Sequence, residues 1–205
     1  METGSYTFDG FTESQQELER LLKQAKQVEP FERSVLQTAG LGDGMKALDV
    51  GCGPGIISCL MASMVGSGEV LGVDTSEGLL ATARQVGQVS EASNVSFQKA
   101  DIYKLDLPEN SMDFVYSRLV FQHLNKPQAA LEQLLKVLKP GGILCLSDID
   151  DDWLSIEPEP AEFKSLIKRS SATQALQGGD RFVGHKLGSY MQGSGFDSVN
   201  VNIMP

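Results

Sequence analysis

Apolar runs long enough to cross a membrane are missing from this chain: none approaches the ~18 residues that a helical span requires. Cysteine is scarce, with three in 205 residues. Cys52, Cys59 and Cys145 show neither the paired spacing of a zinc site nor a disulfide framework, so a reduced, cytoplasmic protein is expected. Basic charge is also short. Seventeen Lys and Arg face 27 acids, for a net charge of −10 and no basic cluster. A nucleic-acid backbone needs a positive footprint, so DNA and RNA are not expected partners. The first residues, Met1 to Ser5, are polar and acidic, unlike a signal peptide. There is no internal repeat and no low-complexity linker, and nothing in the sequence sets an oligomeric state.

What is present reads as one ordinary globular domain, 41% hydrophobic and 21% charged. From Phe11 to Phe31, Leu18, Leu21, Leu22, Ala25 and Val28 recur at helical steps between charged residues. Pro30 is expected to end or bend that helix, which then continues from Phe31 to Ala39 and stops at Gly40. Residues 1–40 thus read as a helical cap, either a layer packed beside a sheet or a lid over its ligand crevice. Residues 41–205 read as the α/β part.

Ala47 to Val50 is a short apolar run with Asp49 near its tip, as in a buried strand that ends at a ligand crevice. Gly51, Gly53 and Gly55 follow at every second residue, interleaved with Cys52 and Pro54, before a helical pattern from Ile56 to Val65. Glycine lets a strand turn abruptly into a helix and lets a ligand lie against the main chain. A dinucleotide fingerprint, G-x-G-x-x-G, would need glycine where Ile56 stands. Glu69 to Asp74 is a second strand ending in an acid, with Thr75-Ser76 after it. Asp74 lies about 20 residues beyond Gly55, the spacing of an acid that accepts ribose hydroxyls, although Asp and Ser also cap helices. Glu77 to Ser90 is helical. Asn94 to Ala100 alternates as an edge strand and leads to Asp101-Ile102. Met112 to Ser117 is a fourth strand and Lys126 to Leu138 a helix. The alternation predicts an α/β fold: a doubly wound, mostly parallel sheet with helices on both faces.

The glycine loop preceded by Asp49 resembles motif I of the class I S-adenosylmethionine-dependent methyltransferases. Ser111-Met112-Asp113-Phe114-Val115-Tyr116-Ser117-Arg118 is similar to the family's "fDxVxs" strand, and Val120 to Leu124 to its "xxHL" segment. Leu138-Lys139-Pro140-Gly141-Gly142-Ile143-Leu144 is similar to its "LKPGGxL" turn into strand five. Farther on, 178–187 and 195–201 resemble the "GRxL" helix entry and the "GFxxVxV" strand. The resemblance implies a Rossmann-like fold binding S-adenosylmethionine and releasing S-adenosylhomocysteine, with methyl transfer to a small-molecule or lipid acceptor.

It also implies a site. Asp49 would lie near the cationic amino-acid end of the ligand, with Gly51, Cys52, Gly53 and Gly55 along its methionine portion. Asp74 and Thr75 would take the ribose, and Asp101 with Ile102 would border the adenine. Ser117 and Arg118, at the end of strand four, would face the cofactor or acceptor. His123 is either a general base or a structural residue. The acids from Asp148 to Asp152 are a solvated loop, a divalent-cation site or an attractor of a cationic amine; no zinc site is expected. The alternatives are an NAD(P)-dependent oxidoreductase of Rossmann type and a protein that binds S-adenosylmethionine without using it. Val199 to Ile203 can supply only one of the family's two final strands, so the expected sheet lacks its last strand, in a shortened chain or a natural variant. Strand five would then have an open edge.

Overall fold

The computed structural model describes residues 14–203, and the structural statements below concern these residues. They form two compact units, one of residues 14–118 and 133–146, the other of 119–132 and 147–203.

The larger unit holds a five-stranded sheet in the order β3-β2-β1-β4-β5, with β1 at Lys46–Val50, β2 at Glu69–Asp74, β3 at Val95–Lys99, β4 at Met112–Arg118 and β5 at Leu138–Ser147. β1 pairs with β2 and β4, and β2 with β3, all parallel. This is the expected doubly wound arrangement, and the strand count agrees with a sheet short of its last strand. β3 is an edge, as its alternation predicts, while Ala47 to Val50 of β1 are buried throughout. Burial on both faces is what a central parallel strand requires.

Ala47 and Tyr116 belong to one apolar cluster with Ile57, Met61 and Val65 of helix α2 (Ile56–Val65) and Leu36 of helix α1 (Ser14–Ala39). Helix α3 (Glu77–Val89) starts at Ser76, whose hydroxyl accepts the Leu79 amide at 3.3 Å, and carries Glu77 in its first turn. Both features suit the positive end of a helix dipole. At the opposite end of the sheet, Asp113 accepts the Lys46 amide at 2.9 Å and the Lys139 ammonium at 2.6 Å. These bonds tie β1 and β5 to β4.

Two expectations are corrected. Of the two outcomes expected at Pro30, an end or a bend, the end is ruled out, because α1 runs through it from Ser14 to Ala39. Proline removes one intrahelical hydrogen bond, and the turns on either side carry the helix past it. Phe11 to Glu13 lie outside the described residues. Second, Val199–Ile203 forms no strand. An alternating pattern makes a strand only where a neighbour takes up its N–H and C=O groups. Here Val201 abuts Gly188, and Val201 and Ile203 are largely exposed. In addition, β5 begins at Leu138, so the Pro140-Gly141-Gly142 stretch lies within it.

The smaller unit contains the first part of helix α4 (Pro127–Val137), helices α5 (Phe163–Leu176) and α6 (Gly184–Gly193), and two short 3-10 turns at Phe121–His123 and Asp151–Trp153.

Candidate functional site

The carboxyl ends of β1, β2 and β4 bring most of the sequence-predicted residues together within the larger unit. Gly51, Gly53 and Gly55 all have positive φ, at 73°, 53° and 77°. A left-handed turn of this kind is steep for any residue with a Cβ. The three glycines nevertheless differ. A Cβ on Gly55 would sit 2.7 Å from the Cβ of Ala83 and 2.8 Å from the ring of Phe97, so Gly55 lets α2, α3 and β3 close together. A Cβ on Gly53 would meet nothing within 4 Å, so the loop faces open space there.

The loop is fixed from behind. The amides of Gly51 and Cys52 both donate to the Val73 carbonyl, at 2.8 and 3.0 Å. The Cys52 thiol is buried, and burial followed by the charges of Asp49 and Asp74 holds its pKa well above the usual value, so it remains a thiol. Asp74 accepts the Gly53 amide through Oδ2 and the Ser76 amide through Oδ1, each at 2.9 Å. Thr75, beside it, is exposed.

Asp49 is a strongly perturbed carboxyl group. It is buried, accepts the Ser58 hydroxyl at 2.5 Å, and has a pKa raised to about 7. Burial is the main cause; the charges of Asp74 and Glu32 add to it, while Ser58 and Arg118 oppose it.

Ser117 donates its hydroxyl to the Val50 carbonyl at 3.0 Å, clamping β4 to β1. Arg118 donates from Nε to Glu32 Oε1 at 2.6 Å, and Glu32 also accepts the Tyr116 hydroxyl. Glu32 and Ser58 went unread as site residues in the sequence. The available signal for Glu32 was an acid at the fourth residue from both Val28 and Leu36, on the apolar face of its helix. Asp101, past β3, accepts the Tyr103 amide at 2.9 Å, and Ile102 is buried beside it.

His123 and the acidic cluster belong to the smaller unit. Burial, with help from the Arg181 charge, lowers the His123 pKa to about 4, and Gln174 Nε2 lies 3.5 Å from its Nδ1. Asp148 accepts the amides of Gln122 and Ile149. Asp151 holds Arg181 through two bonds, at 2.5 and 3.1 Å. Asp150 accepts the amides of Asp152 and His185, and its Oδ2 lies 2.6 Å from His185 Nδ1. Two of the clustered acids, Asp148 and Asp150, therefore organise the local backbone, and Asp151 holds the Arg181 side chain. Asp150, Asp152 and His185 each bring one ligand-capable atom within 4.8 Å of the others, at a partly exposed place.

Residues 41–192 match the family described as a methyltransferase domain. This chain belongs to the class I S-adenosylmethionine-dependent methyltransferases. An uncharacterised methyltransferase of Schizosaccharomyces pombe is 35% identical over 164 residues, which is 77% of this chain and 58% of that protein. A demethylmenaquinone methyltransferase of Staphylococcus aureus is 38% identical over 120 residues, 57% of this chain and 48% of its own. The crystal structure of a SAM-dependent methyltransferase from Aquifex aeolicus superposes with a TM-score of 0.70 at 25% identity, covering 89% of this chain and 88% of that one. The chain spans about half the length of the curated relatives it matches. The family's cofactor is S-adenosylmethionine, and the site suits it: an open backbone at Gly53, a buried acid for a cation and an acid at the tip of β2.

Proposed function

We propose that this chain transfers the methyl group of S-adenosylmethionine to a small-molecule or lipid acceptor by in-line displacement. The observation that carries the reading is the convergence of Asp49 and Asp74 on the open loop at Gly53. When bound, S-adenosylmethionine supplies a methyl group already activated by its positive sulfur, so the protein has to align donor and acceptor and exclude water. Asp49 would face the ammonium of the ligand, and the backbone of Gly51 to Gly55 would lie along its methionine portion. Asp74, with Thr75 beside it at the tip of β2, would take the ribose hydroxyls. Asp101 and Ile102 would border the adenine, and Ser117 holds the β4 tip in register beside the loop.

His123 is assigned a structural role. A neutral imidazole with a pKa of about 4 is a weak proton acceptor at neutral pH. The acceptor class is supported by the demethylmenaquinone methyltransferases of Staphylococcus aureus, whose name specifies a small-molecule substrate. The absence of nucleic-acid partners is supported by the net charge of −10. A cytoplasmic setting is supported by three free cysteines. No helix among the described residues is long and apolar enough to cross a membrane.

Calorimetric titration with S-adenosylmethionine, S-adenosylhomocysteine and NAD tests the cofactor. Binding of the first two without NAD is expected, and binding of NAD alone would overturn the reading. Formation of S-adenosylhomocysteine with a panel of phenols, quinols and amines then tests transfer.

A further inference from the structure

Glu32 is 2% exposed, and a carboxylate is buried to that extent only when it is paired. Its partners come from one strand. Tyr116 and Arg118 are two residues apart on β4 and therefore face the same way. Asp49 is the register partner of Tyr116, and its bond to Ser58 of α2 puts it on that face too. Burial and the Glu32 charge hold the Tyr116 pKa far above its usual value, so its hydroxyl stays protonated and donates. Both Glu32 oxygens are thus engaged, one by Tyr116 and the other by Arg118 Nε at 2.6 Å.

This arrangement grips Arg118 by one edge of its guanidinium. The planar group carries five N–H donors in a fixed fork, of which Nε supplies one. Among the described residues no hydrogen bond or ion pair is made by the two Nη groups, and the side chain is 19% exposed. Val50 pairs with Ser117 in the sheet, so Arg118 stands level with Gly51, the first residue of the glycine loop. An arginine held at Nε with its Nη fork free is shaped for one carboxylate.

We propose that Arg118 receives the α-carboxylate of S-adenosylmethionine, and that Glu32, with Tyr116, is a positioning residue that aims it. Asp49 and Arg118 together then match the two charges of the ligand's amino-acid end. The inference rests on the cofactor reading above and adds the partner of the ligand's negative charge. Glu32 lies outside the 41–192 segment that matches the family, so the aiming acid comes from this chain's own N-terminal helix.

The test compares S-adenosylhomocysteine with 5′-methylthioadenosine, which keeps the nucleoside and lacks the amino-acid end. Both are titrated into the full chain and into the variants Arg118→Gln, Arg118→Lys and Glu32→Gln. Arg118→Gln and Glu32→Gln should each weaken S-adenosylhomocysteine by about tenfold or more, the size of one charge-assisted contact, and leave methylthioadenosine within about twofold. Arg118→Lys, a point charge without the fork, should fall between. Methylthioadenosine binding reports that each variant is folded. Arg118→Gln, at a partly exposed position, decides the matter if Glu32→Gln does not fold. Parallel weakening of both ligands, or unchanged S-adenosylhomocysteine affinity, overturns the inference. Failure of the unaltered chain to bind S-adenosylhomocysteine overturns the cofactor reading beneath it instead.

Discussion

Asp74 Oδ2 accepts the Gly53 amide at 2.9 Å, so the acid at the tip of β2 is bonded to the middle of the loop that follows β1. The bond turns two separate strand ends into one surface. It gives Asp74 the task of ordering the loop, beside its proposed one of binding the ribose, and both are lost when the carboxylate goes.

Asp74→Ala should therefore weaken S-adenosylhomocysteine by at least about 1.5 kcal/mol, the low end for a hydrogen bond to a charged group. Asp74→Asn keeps an acceptor for one of the two amides and should fall between alanine and the unaltered chain. Calorimetry checks the order. Unchanged affinity in folded Asp74→Ala would remove this residue from the site.

Gly53 and Gly55 make a contrast that stability and binding can separate. Gly55→Ala forces a Cβ to 2.7 Å from Ala83 and 2.8 Å from Phe97 at a φ of 77°. Overpacking and left-handed strain together should cost about 2–4 kcal/mol of stability. Gly53→Ala meets open space, so only the strain of about 1–2 kcal/mol applies to folding. Its methyl group would stand where the ligand is proposed to lie, so its larger effect should be on binding. Urea denaturation and S-adenosylhomocysteine titration of both variants check this. Equal losses in both assays would contradict the division.

The parts of this architecture that were legible in the sequence follow local rules. Strands with acids at their tips, glycines at alternate positions and helical apolar stripes each depend on a few neighbouring residues, and they located β1 to β4 and the helices between. Errors arose where the outcome depends on distant partners. Val199, Val201 and Ile203 alternate correctly but find no strand to pair with. The same limit applies to the site. Asp49 and Asp74 stood out beside the glycines, while Glu32 acquires its meaning only through Tyr116 and Arg118, more than 80 residues away.

His123 gives a prediction for the smaller unit. Its pKa is about 4 in the folded chain against an ordinary 6.5, so between these values the unfolded chain binds more protons. The neutral, buried ring contributes stability that is present above pH 6.5 and lost as pH falls towards 4. The full effect is roughly 3 kcal/mol, at about 1.4 kcal/mol per pH unit of displacement. His123→Gln should lose this dependence. It should also leave S-adenosylhomocysteine affinity at pH 7 within about twofold, because no part of the proposed cofactor site is drawn from that unit. Denaturation between pH 4.5 and 7 and a titration at pH 7 check the two halves. A large loss of cofactor affinity would restore His123 as a site residue.

Asp49 tilts the other way. Its folded pKa of about 7 lies above the ordinary 3.8, so the folded chain binds more protons across that window. Stability is least penalised below pH 3.8, where the carboxyl is neutral in both states, and falls as pH rises through 7, where it must ionise while buried. The penalty is on the order of 4 kcal/mol before relaxation of the site. Asp49→Asn, which keeps the size and can still bond Ser58, should flatten the profile between pH 5 and 8. Because His123 and Asp49 slope in opposite directions over much of this range, the unaltered chain should vary less with pH than either variant. The same acid predicts a linkage to binding. An ammonium brought beside Asp49 lowers its pKa, so S-adenosylhomocysteine should release up to roughly three-quarters of a proton near pH 6.5 and a much smaller fraction at pH 8.5. Calorimetry in two buffers of different ionisation enthalpy measures that proton directly. Release that persists in Asp49→Asn would place its source elsewhere and detach Asp49 from the ligand.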